Sequence, residues 1–158
     1  MDNDPEIDAA RFPLSRKVLD YSDLHEKLVQ DSKSEGFDSA SWKDLEQYVD
    51  PSEFERTGTF KEVIDWQQYL QMLSEFGSAA SWEGTFKSIT ESGNTVYLEL
   101  EERCGQPNGA LDVVNTCSVF RFNDAGKLVR LAIYMQSPNY ALATMQEDAG
   151  FRPMEAAK

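Results

Sequence analysis

The chain is poor in the residues that most often carry chemistry. Of its 158 residues, two are cysteine and one is histidine. Cys104 and Cys117 show neither a CxxC pattern nor metal-ligand spacing. No basic start followed by an apolar run marks a secretory signal, so both read as free thiols in a reducing cytoplasm. With His25 as the lone histidine, any Ser-His-Asp arrangement must use it, and no spacing puts it beside a nucleophile. GxGxxG, GxxxxGK[ST] and His/Cys clusters are all missing, so no nucleotide or metal cofactor is expected. No apolar run approaches the ~18–20 residues that span a bilayer. Bases are scarce: 15 Lys and Arg face 28 Asp and Glu, a net charge of −13. Phosphate backbones and anionic lipid repel so acidic a body, which disfavours a nucleic-acid or membrane-surface role.

What is present is a folding sequence. Nine Phe, six Tyr and three Trp exclude a wholly disordered chain. The length suits one domain and leaves little room for a second core. Residues 1–65 hold 17 acids and 8 bases, and Asp2, Asp4, Glu6 and Asp8 crowd the start. Three segments are expected: a disordered acidic tail over 1–13, a folded domain over 14–136, and a C-terminal tail over 137–158.

Helical periodicity fills the first half of that domain. Leu14, Val18, Tyr21, Leu24 and Leu28 share one face of a helix predicted over 14–35, stopped by Gly36. A second helix is predicted from Ser41, with a Ser41–Asp44 capping pair, to Asp50-Pro51. Ser52 to Arg56 is too short for more than a brief strand. A third helix is predicted from a Thr59–Glu62 cap through Trp66, Leu70 and Leu73 to Gly77. Beyond residue 80 the pattern changes to strands at Trp82–Thr90, Thr95–Arg103, Val113–Asn123 and Leu128–Gln136. Short turns at Ser92-Gly93-Asn94, Gln106-Pro107-Asn108-Gly109 and Asp124-Ala125-Gly126 make them an antiparallel meander. Tyr140 to Glu147 has room for a helical turn or two. A long sheet must cover one face, and the helices are its only cover. The expected fold is α+β: a curved antiparallel sheet wrapped around three N-terminal helices, with a pocket between them.

Two segments resemble a known family. Val119-Phe120-Arg121-Phe122-Asn123-Asp124-Ala125-Gly126-Lys127-Leu128-Val129 looks like the hairpin joining the last two strands of ketosteroid isomerases. Tyr48-Val49-Asp50-Pro51, followed by Gly58, resembles the segment after that family's second helix. With the element order, this is similar to the nuclear-transport-factor-2-like superfamily, which includes ketosteroid isomerases, SnoaL-type cyclases, scytalone dehydratase and limonene epoxide hydrolase. The resemblance implies a cone-shaped fold with a deep apolar pocket and dimers through the sheet's outer face.

It also implies places to look for chemistry. The carboxylate base of the isomerases falls within Asp50, Glu53 and Glu55. Their buried acid matches Ser118, a weaker donor. Their helical tyrosine has no match, Tyr21 lying too early on the first helix. The epoxide hydrolases' Asp matches Ile133, and the dehydratase's pocket histidines leave His25 as the one counterpart. From strand parity alone, Glu102 shares a face with Val96, Leu98 and Leu100, where desolvation would suit it to acid or base work. Thr116, Ser118 and Phe120 share one parity, as do Leu131 and Ile133, while Cys117 faces away. Tyr48, Trp66 and Tyr69 stand on helix faces turned toward the pocket, where aromatics also serve as plain core.

The expected function is a cofactor-independent isomerase, cyclase or dehydratase for a hydrophobic small molecule of polyketide, terpenoid or steroid kind. Glu102, Asp50, Glu53 and Glu55 are the candidate proton-transfer groups. Tyr48, Trp66, Tyr69, Thr116, Ser118, Phe120 and Ile133 are the candidate ligand contacts. A non-catalytic binding or dimeric interaction module on the same fold is the alternative. The partners expected are that ligand and a second copy of the chain, with no nucleic acid and no membrane.

Overall fold

A computed structural model describes residues 5–79, 81–105 and 111–137. The first helical period becomes α1 (Pro13–Asp31), with Pro13 in its first turn, where its missing N–H costs nothing. Val18, Tyr21 and Leu28 are buried, as their spacing requires. The helix stops short of the predicted residue 35, where Ser32 and Ser34 carry the chain into turns and Gly36 takes a positive φ of 86°.

The second helix is a 3₁₀ helix over Ser39–Gln47. Its cap is Asp38, whose carboxylate accepts from the Ala40 amide at 2.9 Å, and not Ser41. Buried Trp42 and Leu45 stand three residues apart, the spacing that a three-residue turn stacks on one face.

The predicted start of the third helix is corrected. Thr59 and Glu62 do not cap it: the Glu62 carboxylate turns back to the Phe60 amide at 2.9 Å. Residues 55–65 form a hairpin of β1 (Glu55–Thr57) and β2 (Val63–Asp65), and Lys61 in its loop has a φ of 64°. Helix α2 (Trp66–Ala79) follows, with its capping box further along the chain, at Asp65 and Gln68. Gln68 N–H donates to the Asp65 carboxylate at 2.9 Å, and Asp65 N–H donates to Gln68 Oε1 at 3.0 Å. Gly77 lies inside α2. A Cβ there would stand 2.7 Å from the Trp42 ring, so the glycine sets how closely α2 approaches the 3₁₀ helix.

The four long strands are β3 (Ser81–Ser92), β4 (Thr95–Gly105), β5 (Leu111–Phe122) and β6 (Leu128–Gln136). They form the expected antiparallel meander in a six-stranded sheet of order β2-β1-β6-β5-β4-β3. The sheet as a whole is mixed and not purely antiparallel, because β1 lies parallel to β6. A connection through the whole sheet separates those two strands, so nothing local fixes their direction. Register shifts at Phe86/Ser88 and Arg121/Phe122 mark bulges, which bend a sheet. The helices fill its concave side, and Trp42, Trp66, Leu19 and Leu98 are among the fully buried residues. Residues 5–12 are not free of the body, since Ile7 packs on the core. Residues 1–4 and 138–158, with the helical turns expected at Tyr140–Glu147, lie outside the described residues.

Candidate functional site

Between α1, α2 and the concave sheet lies a cavity of about 90 Å³. Its walls are largely apolar, with Leu98, Leu100, Phe120, Leu131 and Ile133 among them. Alternation brings these residues in: β4 and β5 keep unbroken register from Thr95 to Gly105, so every second residue faces the helices.

The same alternation carries Glu102 inward. Trp82 Nε1 donates to its Oε2 at 2.7 Å, and the Thr116 hydroxyl donates to its Oε1 in a short contact. Gly84 lies opposite Glu102 in the ladder, so the Trp82 side chain, two residues earlier on β3, reaches the carboxylate along one face. Glu102 is the carboxylate among the described residues lining the cavity.

Two phenols face it. Tyr21 of α1 and Tyr69 of α2 are hydrogen-bonded oxygen to oxygen at 3.1 Å. Burial raises the pKa of both, Tyr21 well above the usual range, so both stay protonated at neutral pH. One turn along α1, His25 packs edge-on to Trp82, with ring centroids 5.1 Å apart. Burial and, secondarily, the charge of Arg56 push His25 down to about 4, so it too is neutral near pH 7. The cavity also receives the hydroxyls of Ser22 and Ser118. Arg56, the inward residue of β1, lies behind Tyr69, its guanidinium carbon 5.7 Å from the ring centroid. Its Nη1 is 3.5 Å from Glu62, and its buried Nε has no hydrogen-bond partner. Near Glu102, burial first and then that carboxylate push the Cys104 thiol up to about 11, which keeps it unreactive.

The other three candidate carboxylates are placed elsewhere. Asp50 turns back on its own loop, accepting from the Ser52 hydroxyl at 2.7 Å and the Ser52 amide at 3.0 Å. Those bonds hold its pKa below the usual carboxylate value. Glu53 is exposed. Glu55 points to the outer face and pairs with Arg130 at 2.7 Å. The hairpin is the reason: β1 turns Arg56 inward, so its neighbours Glu55 and Thr57 turn outward.

Among the aromatics, Tyr69 lines the cavity, whereas Trp66 is packed in the core against Phe54 and bonded to Glu46. Tyr48 stands edge-on behind Tyr21 and does not line it. Ser118, Phe120 and Ile133 line it, and Thr116 acts through Glu102. Tyr21, which has no place among the candidate ligand contacts read from sequence, also lines the cavity. The signal was available: Tyr21 and His25 are four residues apart on one helix face. Trp82 carried no local signal, because its partnership with Glu102 crosses two strands. Among the described residues, no group of three His, Cys, Asp or Glu stands together as a metal site requires. No described helix is long and apolar enough to cross a membrane.

No protein-family model and no curated protein matches the sequence. Solved structures do match the fold. A protein from Jannaschia sp. CCS1 assigned as a SnoaL-like polyketide cyclase superposes with a TM-score of 0.57 at 14% identity, covering 85% of this chain and 92% of its own. An M. tuberculosis LEH-like epoxide hydrolase gives 0.57 at 10% identity, over 77% of this chain and 84% of its own. An NTF2-like protein of unknown function from Exiguobacterium sp. 255-15 gives 0.55 at 17% identity, over 73% and 98%. The chain therefore has the NTF2-like α+β cone fold, as the sequence resemblance implied. At these identities the likeness concerns the fold, which hosts many activities.

Proposed function

We propose that this chain is a cofactor-independent acid/base enzyme of the isomerase, cyclase or dehydratase kind, with its site inside the cone. The observation that carries the reading is Glu102, a carboxylate held by two neutral donors at a largely apolar cavity. A fixed carboxylate with further lone pairs free can take or return a proton. The protonated pair Tyr21 and Tyr69 has one hydroxyl hydrogen to spare for a substrate oxygen. Size narrows the substrate. Pockets for drug-sized ligands measure roughly 300–1,000 Å³. A cavity of about 90 Å³ takes a small organic molecule, or the polar end of a larger one, and not a whole polyketide or steroid.

The test begins with a fragment screen in which binding is read from the Trp82 indole N–H resonance. Hits are then followed in D₂O for deuterium uptake at carbon. Proton transfer by Glu102 predicts that Glu102→Gln slows uptake by roughly 10²–10⁴-fold. Hits that bind without any exchange in the wild-type protein would overturn the catalytic reading.

A second reading, a dimeric interaction module, has its own observation. The outer sheet face carries a groove of about 510 Å³ bordered by Tyr97, Val119 and Tyr134. One cross-strand row on that face runs Asp65, Glu55, Arg130, Arg121. It is acidic at one end and basic at the other. A two-fold axis would set each end against its opposite in a second copy, and self-complementarity of this kind is what an isologous interface needs.

A further inference from the structure

The cavity offers more acceptors than donors. Ser22 spends its hydroxyl hydrogen on the Val18 carbonyl at 2.9 Å and keeps its lone pairs. The two tyrosines use one hydrogen between themselves, and keep one hydrogen and the remaining lone pairs of both oxygens. His25, neutral, brings one acceptor nitrogen and one N–H donor, and makes no hydrogen bond with a described residue. Glu102 can only accept, and both its donors are neutral, so its charge has no cation beside it among the described residues. Arg56 does not supply one. It sits behind the Tyr69 ring, beside Glu62, and does not line the cavity. A partly buried carboxylate with no counter-charge beside it favours a cation, and acceptors in excess of donors leave hydrogen-bonding capacity unused. Both deficits are met by one kind of ligand: a small group rich in N–H donors and positively charged. Aromatic rings on the wall (Tyr21, Tyr69, Trp82 and Phe120) add the surroundings in which organic cations are held.

We propose that the interior cavity binds a small alkylammonium group, with its N–H donors on Glu102 and Ser118 and its carbon stem against Leu98, Leu100 and Ile133. The substrate class implied is an amine-bearing small molecule, either wholly enclosed or inserting its ammonium end. The volume of about 90 Å³ sets the size of that group. The net charge of −13 works in the same direction, since a body of this sign draws cations toward it. The inference shares the cavity with the proposed function but does not depend on proton transfer.

The test uses the full chain and three probes of similar size: ethylammonium, ethanol and acetate. Each is titrated while the Trp82 indole N–H resonance, which reports on the Glu102 hydrogen bond, is followed by NMR. The resonance is assigned from its loss in Trp82→Phe. Saturable binding of ethylammonium is expected, with ethanol roughly tenfold weaker or worse and acetate silent. Glu102→Gln, which keeps the side chain's size, should weaken ethylammonium by roughly tenfold or more. Equal binding of ethanol, binding of acetate in its place, or no binding of ethylammonium to the wild-type chain would each overturn the proposal. The wild-type comparison decides the matter even if Glu102→Gln fails to fold. The two readings also fail separately. Ethylammonium binding without carbon exchange in any hit removes the enzyme and keeps the amine site. Glu102-dependent exchange in a neutral hit, with ethylammonium silent, does the reverse.

Discussion

Glu102 holds a charge inside the cone because Trp82 and Thr116 each give it a hydrogen bond. Taking away one donor leaves a partly buried carboxylate oxygen short of a partner, for which the cost of a fully buried unmet acceptor, about 1–3 kcal/mol, is the upper range. Trp82→Phe should therefore lower unfolding stability by up to that amount in urea titrations, with further loss from the smaller ring. His25 yields a pH prediction. Its pKa in the folded chain, about 4, lies below the ordinary 6.5. Above about pH 6.5 both folded and unfolded chains hold it neutral. As the pH falls toward 4, only the unfolded chain takes up the proton, so stability is lost through that window. His25→Phe, which keeps a ring against Trp82, should flatten this part of the curve. Melting temperatures at pH 7 and pH 4.5 should differ by less in the variant than in the parent, and an unchanged difference would refute the assignment. Parity along β4 was enough to place Glu102 from sequence. It could not supply the donors, which come from β3 and β5.

At the scale of elements, the hairpin of β1 and β2 decides how the middle of the chain is used. The sequence offered Thr59 and Glu62 as a helix cap, yet Asp65 and Gln68 form the capping box. Both pairs have the right spacing. What separates them is that residues 63–65 pair with β1, which delays the helix to Trp66. Asp65→Ala should accordingly cost about 1 kcal/mol in denaturant unfolding, whereas Thr59→Ala should cost much less. Lys61 sits at a φ of 64°, a region that disfavours side chains by about 1–2 kcal/mol. Lys61→Gly is expected to relieve part of that and raise the unfolding midpoint. This hairpin also explains the carboxylates that do not reach the site. Asp50, Glu53 and Glu55 belong to its approach and its outer side, and the inward place goes to Arg56.

For the whole molecule, assembly turns on the charge row of the outer sheet face. The Arg121 side chain is exposed and makes no hydrogen bond or ion pair with a described side chain, and it stands opposite Arg130 across the β5–β6 ladder. If the charge row joins two copies, Arg121→Glu should convert a dimer to a monomer while leaving the fold intact. Sedimentation velocity and circular dichroism together check this. Added salt should weaken the dimer too, since exposed pairs are screened over roughly 10 Å at 0.1 M. A monomeric wild-type chain at micromolar concentration would remove the dimeric module.

The sequence alone determined the four long strands, the turns at Gly93 and Gly126, and the concave faces of β4 and β5, because each follows from a local period or a local φ. It also placed Glu102 and Ser118 at the cavity, since strand alternation runs unbroken through them. Tertiary structure decided the rest. It set β1 parallel to β6 and turned Asp50, Glu53 and Glu55 outward. It joined Tyr21 to Tyr69 across two helices and surrounded Glu102 with neutral donors. None of these relations repeats along the chain. Most arise between residues on different elements, where packing and the need to satisfy buried polar groups choose among arrangements that the local pattern leaves equal.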